Sequence, residues 1–199
     1  MAFRDFGYPA VIQGLGLTYF EADLFGAIAR IPLPDEFVDR LHAGVDLGLA
    51  IDTEKARSEF IIAPVLLEYR RISDGAFGIF SGVEFNVDAS RGLNGFCDFI
   101  LTRSRLQSVL TTPVVSIVEA KNDNVRNGLG QCIATMVAAH EFNAKSATPV
   151  GTVHGVVTTG SAWKFLRLSG ADLTLDTNEF YISEPGRIMG ILAHILKSA

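Results

Sequence analysis

The run Pro113-Val114-Val115-Ser116-Ile117-Val118-Glu119-Ala120 is almost wholly apolar and rich in β-branched residues, and it closes on Lys121. That composition marks a strand buried on both faces, the kind that sits at the centre of a sheet. Side chains two apart on a strand point to the same face, so Glu119 and Lys121 share a side and Ala120 takes the other. A carboxylate and an ammonium therefore project together from the end of a buried strand.

Toward the N-terminus, Gly95-Phe96-Cys97-Asp98-Phe99-Ile100-Leu101 reads as the preceding strand, joined through a polar connection over 102–112. An ionised Asp98 between Cys97 and Phe99 needs a partner, because an uncompensated buried carboxylate is unstable and otherwise becomes neutral. A hard divalent cation is one such partner, and Asp and Glu oxygens suit Mg²⁺ or Mn²⁺ held by one or two carboxylates with water and phosphate. A salt bridge from Asp98 to Lys121 across adjacent strands would meet the same need. Before it, residues 77–80 and 83–87 are strand-like, with Glu84 facing solvent between Val83 and Phe85.

Further back, Phe60, Ile61, Val65, Leu66, Tyr69 and Ile72 keep helical spacing, which predicts a helix capped by Asp52 and kinked or restarted at Pro64. Beyond Lys121, the stripe Leu129, Cys132, Ile133, Met136 and Val137 predicts a second helix, capped by Asn127 and running to about Asn143. Its small residues Gly128, Gly130, Ala134 and Ala138 let it approach the sheet. Strands over 152–158 and 163–168 flank the turn Thr159-Gly160-Ser161-Ala162, and 188–196 reads as a closing helix. Helix, three strands, helix, two strands, helix is the order of an α/β fold, a mixed central β-sheet flanked by helices.

A chain of 199 residues fits one domain with a substantial core. We expect an N-terminal helical and loop extension over 1–50 and the core over 51–199. The hydrophobic fraction of 48% and mean hydropathy of +0.29 favour well-buried strands and an apolar surface fit for a homodimer. No apolar run reaches the length of a membrane span, and no secretory signal pattern is present, so a cytoplasmic protein is expected. Cys97 and Cys132 sit in apolar periodic segments and read as buried free thiols. His140 reads as a helix-flank residue, and Trp163 as core. A formal charge of −5 gives no global attraction to a polyanion. Phosphate-binding charge must be local, and Arg70 with Arg71, Arg103 with Arg105, and Arg126 are the candidates; we expect Arg103, Arg105 or Arg126 at the rim of the site.

Asp98, the Glu119-Ala120-Lys121 triplet and the surrounding order of elements resemble the PD-(D/E)XK nuclease superfamily over about residues 52–168. The superfamily's acidic residue on its second core strand falls on Asp98 and its E-x-K triplet on Glu119 to Lys121. Glu59 matches the extra acidic residue that many members carry on the first helix, with Glu68 the competing choice. Gln131 matches a polar residue many members set near the metal, and Val157 to Phe165 resembles the strand-turn-strand that follows in restriction-enzyme-like members and in small prokaryotic proteins. Cys97 stands where the motif has Pro. The resemblance implies a restriction-endonuclease-like core and a nuclease acting on DNA before RNA. In it Asp98, Glu119 and Glu59 bind Mg²⁺ or Mn²⁺, while Lys121 and Gln131 assist water attack. The other readings are a catalytically silent nucleic-acid-binding or protein-interaction module on the same fold, and a scaffold dimer.

Overall fold

The computed structural model describes residues 1–145 and 150–198. In chain order its main elements are helix α1 (Ala10–Gly14), strand β1 (Thr18–Ala22), α2 (Asp35–Ile51), α3 (Glu54–Arg57), a π-helical turn (Ser58–Ile62) and α4 (Ala63–Ile72). Then come β2 (Gly78–Asp88), β3 (Leu93–Thr102), β4 (Val114–Ala120), α5 (Val125–Ala144), β5 (Thr152–Thr158), β6 (Ala162–Ser169), β7 (Asp172–Asp176), β8 (Phe180–Tyr181) and α6 (Pro185–Ser198).

Among the described residues the strands form one eight-stranded sheet in the order β1-β7-β6-β5-β4-β3-β2, with β8 on β6. β4 pairs antiparallel with β3 and parallel with β5, and all seven of its residues are buried. This is the mixed α/β sheet expected from the apolar run. A parallel neighbour needs a crossover, and α5 supplies it. One face packs Leu129, Cys132 and Ile133 of α5 on Ile100, Ile117 and Val157. The other packs Val65 and Leu66 of α4 and Ile188 and Leu192 of α6 on Phe99, Val118 and Phe165. Trp163 is part of that core, with its indole N–H donated to the Gly160 carbonyl at 2.9 Å.

Two helix starts differ from the sequence reading. Asp52 lies past the end of α2 in a left-handed conformation, φ 56°, and Thr53 caps α3 by accepting the Ala56 N–H at 3.1 Å. Asn124, not Asn127, caps α5, accepting the Arg126 N–H at 2.8 Å. Pro64 stands in the first turn of α4 and so opens the second half of this helical stretch, as the sequence leads one to expect. It has no N–H to give the Phe60 carbonyl, and the chain widens into the π turn, in which the Ala63 N–H reaches back to Ser58. The Phe60 carbonyl then faces Gly44 of α2, where a Cβ would lie 2.3 Å from it. Residues 1–50, read as helices and loops, also supply β1 at the sheet edge, parallel to β7.

His154 on β5 is 3% exposed, and its Nδ1 has no partner. Burial, then the charges of Arg167 and His194, pull its pKa down to about 4. The unfolded chain binds this proton more readily, so the stability this His contributes is complete above the ordinary histidine pKa and is lost as pH falls from about 6.5 to about 4. His154→Leu is therefore expected to flatten the acid side of the stability curve by on the order of 3 kcal/mol over that window. Urea unfolding at both ends of the window measures it.

Candidate active site

The β3–β4 ladder ends at the Phe99–Val118 pair, and continuing its register by one residue sets Asp98 opposite Glu119. Here the Asp98 side chain takes over an acceptor's role, as its Oδ2 receives the Ala120 N–H at 2.7 Å. On the other side β4 stays paired with β5 as far as Ala120–Thr158, and the Lys121 N–H goes to the Thr158 carbonyl at 2.8 Å. The backbone of the Glu119-Ala120-Lys121 triplet is thus held on both edges. The Lys121 stem passes over Gly128 in the first turn of α5, where a Cβ would lie 3.1 Å from its Cγ.

Lys121 turns back on the strand it leaves. Its Nζ donates to Glu119 Oε1 at 2.8 Å and to the Ala120 carbonyl at 2.8 Å, and stands 3.7 Å from Glu54 Oε2. Glu119 is 1% exposed, and its second oxygen, Oε2, has no partner. Burial and then the neighbouring Asp98 carboxylate push the Glu119 pKa up to about 8, against the opposing pull of Lys121. For Lys121 burial favours the neutral amine, but the charges and hydrogen bond of Glu119, with Glu54 and Asp98, outweigh it and raise its pKa. The ammonium keeps its proton. Burial also pushes the Cys97 and Cys132 thiols up, with the charge of Glu119 adding to it, so both free cysteines remain protonated.

These groups open into a cleft of about 450 Å³ lined by Asp98, Glu119, Lys121 and Gln131, and by Glu54, Phe96 and the N-terminal residues Ala2 to Arg4. Asp98, Glu119, Lys121 and Gln131, singled out in the sequence, thus come together. Glu59 is not on this cleft but on an adjoining one of about 260 Å³ that Asp98, Ala120 and Glu54 also line, and it pairs with Lys55 at 2.7 Å. Glu68 forks onto Arg71 at 2.8 and 2.6 Å, which holds its pKa down, on a cleft with Phe37 and Leu67. The acidic residue of this helix that reaches Lys121 is Glu54, which the sequence reading passed over. Its only local signal is its place in the first turn after the Thr53 cap.

The expected arginine rim is also displaced. Arg103 donates to the Leu196 and Lys197 carbonyls, and Arg126 lies over the Tyr8 ring at 5.3 Å; neither these nor Arg105 line the cleft. Its cations are Lys121 and Arg4. Among the described residues no group of three or more His, Cys, Asp or Glu side chains is gathered closely enough to hold a metal ion. The carboxylates that line the cleft are Asp98, Glu119 and Glu54, and the last of these stands beside Lys121. Among the described residues no helix is long and apolar enough to cross a membrane.

The N-terminal wall rests on α5 at Gly130, where a Cβ would meet the Phe6 carbonyl oxygen at 2.1 Å and Gly7 backbone carbon at 3.0 Å. Backbone cannot swing aside as a side-chain tip can. Gly130→Ala is therefore expected to lift residues 1–8 from α5 and lower stability by about 1–3 kcal/mol while leaving the sheet intact. Limited proteolysis read by mass spectrometry should show faster cleavage in that segment. An unchanged digestion pattern would contradict the packing described.

Comparison with known proteins adds no family: no protein-family model matches this chain, and no curated protein matches it.

Proposed function

We propose that this protein is a metal-dependent phosphodiester hydrolase of the PD-(D/E)XK type, built on a restriction-endonuclease-like core and acting on nucleic acid, DNA before RNA. The observation that carries the reading is Oε2 of Glu119, a buried carboxylate oxygen that no donor reaches, beside the Asp98 carboxylate in an open cleft. A fully buried Glu119 carboxylate beside the partly buried Asp98, with Lys121 as the one cation paired to it, is poorly compensated, and the donor set is the hard-oxygen kind that suits Mg²⁺ or Mn²⁺.

In this reading Asp98 and Glu119 hold the cation, and the Ala120 N–H fixes the Asp98 carboxylate for that task. A bound divalent cation supplies a Lewis acid for the scissile phosphate and lowers the pKa of a coordinated water. Lys121 orients that water or offsets the charge that grows on the phosphate in the transition state. Gln131, from α5, positions the water or a backbone phosphate oxygen. Glu54 stands 3.7 Å from the Lys121 ammonium and helps to hold it. The exposed Leu47, Leu49 and Ile51 of α2 and Leu67 of α4 supply the apolar surface for a homodimer, which light scattering reads.

One observation favours the silent alternative, a nucleic-acid-binding or protein-interaction module: the cleft sets three carboxylates against two cations in a chain of net charge −5. Incubation of the purified protein with plasmid and single-stranded oligonucleotides separates the two. Cleavage that needs Mg²⁺ or Mn²⁺ and stops with chelator supports the hydrolase. Binding without cleavage in either metal supports the silent module.

A further inference from the structure

The cleft that holds Asp98 and Glu119 also holds an exposed aromatic ring. Of the 14 phenylalanines, only Phe20 and Phe96 rank among the exposed large hydrophobics, and Phe96 is the more open at 67%. It stands two residues before Asp98 on β3. Cys97, between them, turns into the core under α5. Gly95, before it, has φ 139°, a conformation essentially reserved for glycine, and offers no side chain to cover the ring. Arg4 lines the same cleft, 85% exposed at its side chain and paired with Asp5 at 3.9 Å.

A single exposed apolar side chain needs no explanation by itself. This one lines the same cleft as Asp98, Glu119 and Lys121, where the base next to a bound phosphate would lie. Aromatic rings bind unpaired bases through their faces, whatever the base. In a duplex those faces are covered by the neighbouring bases, so a ring beside the phosphate can engage a base only where the strand is single or frayed. Size points the same way. The cleft is about 450 Å³, the scale of a small-ligand pocket, and Glu119 at its base is almost fully buried, so a phosphate must enter deeply to reach it.

We infer that the site takes single-stranded or frayed nucleic acid, with Phe96 as the platform that stacks the base beside the phosphate to be cut and Arg4, on the same cleft, as a cation for the backbone. This rests on the hydrolase reading above, and the test keeps the two apart. Wild type, Phe96→Ala and Phe96→Trp are given one oligonucleotide sequence, single-stranded or in duplex, with Mn²⁺. Wild type should cut the single strand faster; Phe96→Ala should raise KM for it by roughly 10-fold or more, so that the preference collapses, and Phe96→Trp should restore it. The new indole is also an optical probe, since the chain's one tryptophan, Trp163, is fully buried. In chelator, Phe96→Trp fluorescence should be quenched by the single strand more than by the duplex. Quenching without cleavage in Mn²⁺ would uphold the stacking platform and overturn the hydrolase. Equal cleavage of both forms, unaltered by Phe96→Ala, would uphold the hydrolase and overturn the platform. Neither cleavage nor quenching would overturn both.

Discussion

Asp98→Asn is expected to abolish divalent-cation binding and nucleic-acid cleavage together, and to do so without unfolding the protein. A neutral amide is a far poorer ligand for a hard cation than a carboxylate, so the loss of affinity should exceed the roughly 10- to 100-fold typical of removing an outer-sphere partner. The fold survives because asparagine keeps an oxygen that can accept the Ala120 N–H, the bond that Asp98 Oδ2 makes at 2.7 Å. In metal-free buffer the variant should melt no lower than wild type. The reason lies in Glu119, whose pKa is raised partly by the Asp98 charge; removing that charge relieves a repulsion that the folded state bears. Thermal melts with and without Mn²⁺ therefore give a signature: an equal or higher melting temperature in chelator, and no rise on adding metal. Cleavage that persists in this variant would place the chemistry elsewhere.

Lys121→Met has the second largest expected effect, and it divides differently. Both carboxylates remain and a positive charge beside them is gone, so Mn²⁺ binding should hold or tighten. Cleavage should fall on the order of 10²-fold or more, since in the proposed mechanism the ammonium acts chiefly where charge develops in the transition state. Metal-free stability carries a pH signature. With its donor at 2.8 Å removed, Glu119 stays protonated to higher pH than in wild type, where its pKa is about 8. A raised carboxyl pKa means the folded state binds the proton more tightly, so its contribution is present at low pH and is lost as pH rises. The variant should therefore be near wild type in mildly acidic buffer, weaker in alkaline buffer, and rescued there by Mn²⁺. If Lys121 is only half of a structural ion pair, the variant instead loses about 3–5 kcal/mol that metal does not restore.

The parts of this arrangement that could be read from the chain are those that local physics determines. A run of β-branched residues with no polar face could only be a central strand, and Val114–Ala120 is one. Alternation along that strand set Glu119 and Lys121 side by side, and the antiparallel neighbour brought up Asp98. Of the small residues of α5, Gly128 faces the sheet as expected, with a Cβ there 2.5 Å from Val157 Cγ1, whereas Gly130 takes the Phe6 backbone instead. What escaped were features fixed by contacts distant in sequence. Glu54 is an ordinary first-turn acid until the turn from α2 to α3 points it at Lys121. Arg4 and Ala2 reach the cleft because the Phe6 backbone rests on Gly130. Asp172-Leu173-Thr174-Leu175-Asp176 alternates as a strand should, but five residues bury too little to be told from a loop until β6 and β1 pair with them. Asp52 has the composition of a cap, and the left-handed residue between two abutting helices is most often glycine.

Whether Asp98 and Glu119 together bind a divalent cation is decided by calorimetric titration of Mn²⁺ into wild type and into Glu119→Gln, a change that keeps the shape of the buried side chain and removes its charge. Wild type should give a saturable one-site isotherm and the variant none. Superimposable isotherms, or no binding heat in wild type, would contradict binding by the pair.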